Sequence, residues 1–291
     1  MAHELKQLLI DLGLSSKSSV RPFYPRTRDR VDVGVLRCER SGVIILTRTD
    51  HMRIQHYNKK DFNGRGAHSR RAALKATAVD STRRAEQFRS LVKGKRWIDI
   101  GAGAGGVLDV LAPHARYAAA VEPQDKSRAS LARAGYHVYP LALEVPEKDF
   151  DVATLFHVLE HFTDPLGELQ RIRKLLKKRG TLVVEVPHAR DALITIYESE
   201  AFKAHTFWSE HLMLHTRESL VALLKEAGFT AVKVSGFQRY PLANHLHWLA
   251  KGKGGGQVIW PKLSSPALDS AYSDALQKAD ATDTLIAIAR A

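Results

Sequence analysis

What this chain lacks narrows it before anything else. Its 291 residues contain one cysteine, Cys38. An internal disulfide is therefore excluded, and so is a zinc site built from several thiolates. A lone thiol suits the reducing cytoplasm, the expected location. No apolar run approaches the roughly 20 residues that span a bilayer; Gly42-Val-Ile-Ile-Leu46 is typical of the longest. Met1 to Leu14 is an amphipathic Leu/Ile stretch interrupted by charges, so no secretory leader is expected. Disorder is disfavoured as well, because a hydrophobic fraction of 44% is that of a folded globular chain.

Charge is present in excess but only in one place. The net charge is +13, and residues 1–96 hold 22 Lys and Arg against 9 Asp and Glu, whereas residues 97–291 hold 22 of each. A basic first third attracts nucleic acid, an anionic membrane surface or a phosphorylated substrate. A solubilising arm is the plainer alternative.

The pattern divides the chain in two. Residues 1–79 form a basic extension that covers the substrate or a partner. Within it Glu4–Leu12 is predicted helical, Ser15–Arg30 a loop, and Val31–Leu46 a β-hairpin turning at Ser41-Gly42. His51 to Ala67 is polar with aromatic points at Tyr57 and Phe62. Residues 80–291 form the main domain, opened by a helix that Asp80 caps and that runs to about Leu91. Strands are predicted at 96–100, 117–121, 137–140, 151–156, 181–186, 229–234 and 284–288. Helices are predicted between them at 107–111, 126–134, 165–178 and 219–227. Strands alternating with helices imply an α/β fold with a mainly parallel, doubly wound sheet. Residues 236–282 are too long for a tight connection and form a substrate-binding insertion.

The strongest motif is Trp97-Ile-Asp99-Ile-Gly101-Ala-Gly103-Ala-Gly105-Gly106. Glycines at a strand-to-helix turn let backbone approach a ligand closely. The same residues satisfy G-x-G-x-x-G, which admits a dinucleotide. Two features favour S-adenosylmethionine instead. Asp99 stands two residues before Gly101, where a carboxylate meets the ammonium of a methionine moiety and repels a pyrophosphate. Glu122 ends the next strand 21 positions after Gly101, placed to accept both ribose hydroxyls.

Phe150-Asp151-Val-Ala-Thr-Leu-Phe156-His157-Val-Leu-Glu160-His161-Phe-Thr-Asp-Pro165 resembles the fourth-strand segment of class I S-adenosylmethionine-dependent methyltransferases. The resemblance continues through Leu175-Leu-Lys-Lys-Arg-Gly180-Thr-Leu-Val-Val-Glu-Val-Pro187 and covers about residues 80–235. It is nearest the subgroup of ubiquinone-biosynthesis and sugar-modifying enzymes. The family implies a Rossmann-like seven-stranded sheet with an antiparallel last strand. It places Asp99, Gly101, Gly103, Gly105, Glu122 and Phe156 at the cofactor, and it carries the adenine contact onto Leu143 and Glu144.

For the acceptor, Thr206-Phe-Trp208-Ser-Glu210-His211-Leu212 resembles the Glu-His-Leu segment of sugar C-methyltransferases, in which the histidine is a proposed base. A sulfonium donor needs no activation, but an acceptor hydroxyl must lose a proton. A histidine near neutrality serves, with the adjacent Glu210 orienting it. His157, at the end of the fourth strand, is expected to face the transferred methyl; His161 is expected to pack or cap. Arg239, Tyr240, Asn244, His245 and Trp248 supply the polar and aromatic groups of a sugar site. Leu36-Arg-Cys38-Glu-Arg-Ser-Gly42 has the outline of the C-x-x-C-G knuckle of those C-methyltransferases, but only Cys38 remains. No counterpart of their larger C-terminal domain is expected after the last predicted strand. Both departures favour O-methylation of a sugar or glycan hydroxyl, the acceptor being neutral, phosphorylated or otherwise anionic. No carboxylates show a recognisable metal-ligand spacing, so no metal ligands are assigned, and assistance by a divalent cation stays an open alternative.

Two other readings compete. The basic first third suggests a nucleic-acid methyltransferase, yet Phe156-His157-Val158 stands where base-amino enzymes carry Asn/Asp-Pro-Pro-Tyr. The degenerate knuckle suggests a non-catalytic methyltransferase-like subunit, against which the intact donor residues speak. Another small-molecule methyltransferase remains the residual class.

Overall fold

The structure is a computed structural model that describes residues 2–52 and 69–291. Most of the polar segment with Tyr57 and Phe62 lies outside the described residues.

The N-terminal part builds a small antiparallel sheet of β1 (Val20–Tyr24), β2 (Val35–Cys38), β3 (Ile44–Leu46) and, from the main domain, β9 (Met213–Leu214). The helix α1 (Ala2–Asp11) buries Leu5 and Leu9 against the hairpin residues Val43 to Leu46. The expected loop at Ser15–Arg30 is corrected here, because it contains β1. Val20-Arg-Pro-Phe-Tyr24 has no alternating burial, so pairing with β2 overrides the weak local pattern. Pro22 is tolerated because β1 is an edge strand.

A second correction concerns α2 (Arg70–Val92). It begins ten residues before the expected cap at Asp80: Ser69 is the N-cap, its hydroxyl accepting from Ala72 N at 3.3 Å. The stripe that α2 buries mixes small, polar and apolar groups, Ala73, Ser81, Arg84, Ala85, Phe88 and Val92, so hydrophobic periodicity hides its first half. Asp80 consequently sits in mid-helix, facing the interior of the molecule.

The main sheet has seven strands in the order β10 (Thr230–Phe237), β11 (Thr284–Arg290), β8 (Leu176–Pro187), β7 (Phe150–Phe156), β4 (Arg96–Ile100), β5 (Tyr117–Val121), β6 (His137–Tyr139). The strands from β8 to β6 are parallel, and β11 runs antiparallel to both β8 and β10, the expected Rossmann-like arrangement. β7 shows why both faces are covered. Ala153 and Leu155 enter one core, Val152 and Phe156 the other, as a two-residue period requires. The helix α3 (Gly106–Leu111) follows β4, α4 (Asp125–Arg133) follows β5, and α5 (Pro165–Leu175) precedes β8. α5 stops three residues before its expected end because Leu176 already pairs with Phe150.

Two further helices, α6 (Ala192–Thr195) and α7 (Glu200–Thr206), stand at the cavity, whereas α8 (Arg217–Glu226) packs Leu220, Leu223 and Leu224 into the core on one face of the sheet. The insertion between β10 and β11 folds into α9 (Leu242–Lys251), α10 (Gly256–Ile259) and α11 (Pro266–Lys278). The chain leaves β4 for β5 and β6, then crosses to β7 on the other side. That reversal opens a crevice at the strand ends, where doubly wound sheets take their ligands.

Candidate active site

The crevice holds a cavity of about 820 Å³. Small-molecule sites span roughly 300–1,000 Å³, so this one has room for a nucleoside-sized cofactor and an acceptor together.

One end is made by the turn after β4. Asp99 is the register partner of Thr154 on β7, and the Thr154 hydroxyl donates to its carboxylate at 2.6 Å. Trp97 Nε1 donates to the same hydroxyl at 2.9 Å and fixes its orientation. Burial pushes Asp99 up to about 7 despite the Thr154 bond. Gly101 has φ +73°, and a Cβ there would run into the Val158 side chain. A Cβ on Gly106 would collide with Ser81 of α2, so the helix sits directly against the turn. Glu122 closes this end from the tip of β5. Its two oxygens accept from Gly103 N at 2.6 Å and Gln124 N at 2.8 Å. Burial raises it to about 7 as well. Each oxygen keeps a second lone pair, which fits a pair of vicinal ribose hydroxyls.

Asp99, Gly101, Gly103, Glu122 and Phe156 line the cavity; Gly105 turns the chain into α3 just behind it. Leu143 and Glu144 are the exceptions. The wall is made by Leu141 and Ala142, while Leu143 is 75% exposed and Glu144 is exposed on the outer side of the same 3-10 turn.

A charge network crosses the cavity floor. Glu185 of β8 is fully buried and accepts from Arg83 at 2.8 Å and Arg84 at 2.6 Å, both on α2. Contact with His157 and the pairing with Arg84 hold its carboxyl well below the usual range against the effect of burial. Arg239 forms a bidentate ion pair with Asp80, Nε to Oδ1 at 3.2 Å and Nη2 to Oδ2. His157 lies between these pairs with φ +56°, a strained conformation for a non-glycine residue. Arg239 Nη1 lies 3.1 Å from His157 Nε2, and Nδ1 is 3.1 Å from Glu160 Oε1. His157 Nε2 also lies 3.4 Å from Glu185 Oε1, so the ring sits between two buried carboxylates and the Arg239 guanidinium. Both nitrogens of His157 are therefore engaged, and Arg239 is neutralised by Asp80.

The other end gathers residues distant in sequence. His211 lies in the loop before β9, its ring 5.2 Å from His161 and 5.4 Å from Trp208. Burial, aided by repulsion from His161, pushes it down to about 3 against the attraction of Glu160. The expected near-neutral histidine is thus corrected, since desolvation disfavours the imidazolium. Its Nδ1 is buried with no hydrogen-bond partner among the described residues. The carboxylate acting on His211 is Glu160, which bonding to His157 and attraction to His161 and His211 hold at about 2 although burial raises it. Glu210, expected in that role, is a buried part of the cavity wall.

Glu160, His161 and His211 each bring a ligand atom to within 4.8 Å of the others. One carboxylate and two imidazoles form a donor set suited to a divalent transition metal. Sequence spacing could not show it, because His211 is fifty residues from His161. His161, expected to pack, lines the cavity.

Arg239, Tyr240, Asn244, His245 and Trp248 all reach the cavity wall. Several are already occupied. Asn244 Oδ1 accepts from Gly255 N at 2.8 Å, and His245 Nδ1 contacts Tyr272 OH at 2.7 Å. Trp248 packs edge-on against Phe202 with centroids 5.2 Å apart. Sequence reasoning missed Phe202 and His205 of α7, Asp80 and Arg84 of α2, and Asp191, all of them in the wall. Asp191 is raised well above the usual carboxyl range by burial and by Asp283.

Comparison with known proteins bears on the family and the fold. Two curated relatives, each called ubiquinone biosynthesis O-methyltransferase, come from Ruegeria sp. (strain TM1040) and Ruegeria pomeroyi. They are 29% identical over 168 residues and 28% over 169, matching 51% and 52% of this chain. The match spans 66% of the length of either relative. A solved S-adenosylmethionine-dependent methyltransferase from Archaeoglobus fulgidus shares the fold at 20% identity with a TM-score of 0.50, over 77% of this chain and 95% of that one. Among the described residues no helix is long and apolar enough to cross a membrane. A family model described as a methyltransferase domain matches residues 68–234, more than half of the chain, across the strands and turns just described. The chain therefore belongs to the class I S-adenosylmethionine-dependent methyltransferases, and S-adenosylmethionine is its cofactor.

Proposed function

We propose that this chain methylates a hydroxyl on a ring-bearing small molecule, and that the hydroxyl is acidic, of the phenolic kind. The observation that carries this reading is His211, whose ring lines the cavity beside Glu160 and whose buried Nδ1 has no hydrogen-bond partner among the described residues. A neutral imidazole can assist loss of the proton from a hydroxyl near the tyrosine value of about 10. It is badly matched to an alcohol with an acidity near that of water, about 15.7.

The cofactor supplies an electrophilic methyl group. Asp99 is assigned to its ammonium, Glu122 to the ribose hydroxyls, and Leu141, Ala142 and Phe156 to the adenine surroundings. His211 takes the acceptor proton as the carbon–oxygen bond forms. Glu160, ionised beside it, stabilises the imidazolium that results. His157 is a positioning residue that ties Glu160 to Arg239. The two curated relatives are named for O-methylation in ubiquinone biosynthesis, which is compatible with an oxygen on a quinone-type ring.

A saccharide hydroxyl is the second reading, favoured by Tyr240, Asn244 and Trp248 in one wall. It ranks lower because Arg239 and Asn244 spend polar groups on Asp80 and Gly255. Methyl-labelled S-adenosylmethionine offered with catechols, hydroquinones, monosaccharides and nucleotide sugars separates the two. Label in the phenols is expected. Label in the sugars alone overturns the phenolic reading, and no label despite cofactor binding favours a non-catalytic role.

A further inference from the structure

Seven of the twelve large hydrophobic side chains exposed among the described residues lie between residues 240 and 268. The helix α9 shows how they arise. It turns Ala243, Asn244, His245, His247 and Trp248 inward and leaves Leu246 and Leu249 outside. Val258 at 76% and Ile259 at 54% exposure on α10, followed by Leu263 at 45%, extend the apolar surface. Trp260 stands half-buried among them, its ring 4.8 Å from His247. Burial of any one of these in a soluble monomer would be favourable, and none is buried. Such a concentration marks an interaction surface.

Charge says which. From residue 246 to residue 268 the chain contains three Lys, no Arg and no Asp or Glu. Lys251, Lys253 and Lys262 are exposed and interleaved with the apolar groups. Exposed Leu, Ile and Val with a Trp and flanking lysines make the composition of a segment lying in a lipid interface. The apolar groups enter the acyl boundary, and the lysine stems follow while their ammonium groups stay with anionic headgroups. A second copy of the chain fits poorly, because a two-fold contact of this face sets its lysines against themselves.

We propose that the face formed by residues 246–268 docks on an anionic membrane surface. The same segment forms part of the cavity wall through Gly254, Gly255 and Gln257, between the exposed Lys253 and Val258. Docking therefore brings the acceptor end beside the lipid, where an acceptor with an apolar tail is concentrated. Only this last consequence rests on the small-molecule reading above; docking itself does not.

Co-sedimentation of the full chain with vesicles tests it, without any need for turnover. Binding is expected to phosphatidylcholine vesicles containing phosphatidylglycerol, weakening with salt, and to be far weaker with phosphatidylcholine alone. Each interfacial lysine is worth roughly fivefold, so Lys251→Gln, Lys253→Gln and Lys262→Gln together lower binding roughly a hundredfold. Val258→Asp with Ile259→Asp abolishes it. S-adenosylhomocysteine affinity, unchanged in both variants, shows that they are folded. Lys17→Gln with Arg21→Gln, exposed in the basic first third, leaves vesicle binding within a few-fold. Equal binding by the patch variants overturns the proposal, as does a loss confined to the Lys17/Arg21 variant. A dimer that Val258→Asp dissociates, with no vesicle binding by the parent chain, overturns it too.

Discussion

The two ends of the cavity use burial in opposite ways. At the donor end it raises two carboxyls, Asp99 and Glu122, to about 7 each. At the acceptor end it lowers His211 to about 3. Both act through one cause, the cost of desolvating a charge, yet the outcomes differ in use. A carboxyl poised near neutrality is readily ionised by an arriving cation. An imidazole kept neutral retains a lone pair, which the proposed proton transfer needs. Construction differs in parallel. The donor end is backbone amides and strand tips, whereas the acceptor end is assembled from the turn after β7, the loop before β9 and the β10–β11 insertion.

Separate ends should fail separately. His211→Ala is expected to lower kcat by about 10²–10⁴-fold, the usual worth of a general base, in a steady-state assay with the labelled acceptor. A kcat within threefold of the parent removes His211 as the base. The charge network joining the ends comes next. Asp80→Ala leaves Arg239 without its bidentate partner, mostly but not fully shielded from water. About 2 kcal/mol of stability should be lost, below the 3–5 kcal/mol of a fully buried pair, lowering Tm by roughly 5 °C. An unchanged melting curve contradicts the network.

The pH responses should diverge. Asp99 is protonated below about 7, and holding an ammonium requires its ionised form. Cofactor binding then expels a proton, and affinity falls up to tenfold per unit as pH drops from 7 to 5. Titration at several pH values checks this. At saturating cofactor, kcat should show no limb near 6.5, because His211 stays unprotonated down to about 3. The smallest effect is expected at Leu143→Ala. The exposed side chain lies off the cavity, so cofactor affinity should move less than twofold; a tenfold loss restores the adenine contact to Leu143.

Legibility in the sequence followed the same division. The sheet and its antiparallel last strand were readable because each strand is a short apolar run bounded by turns. Asp99, Gly101 and Glu122 were readable because one β–turn–α–β unit places them at fixed offsets. The acceptor end was only half readable. His211 was singled out through a local motif and lines the cavity, but the carboxylate acting on its ring is Glu160, fifty-one residues earlier, brought close by the Leu212 N to Glu160 O bond at 2.8 Å. Asp80 was misread as a cap because Asp-Ser-Thr is an N-terminal signal wherever it falls, and only packing shows that α2 started earlier. β1 escaped because an edge strand with a proline carries no alternation.

The central claim is that cofactor binding belongs to the donor end and proton removal to the other. Calorimetric titration of S-adenosylhomocysteine into the parent chain, Glu122→Ala and His211→Ala tests it directly. The account predicts the same Kd, within twofold, for the parent and His211→Ala. For Glu122→Ala it predicts a loss of about a hundredfold, from two hydrogen bonds to a charged group. Equal losses in the two variants, or none in Glu122→Ala, would contradict it.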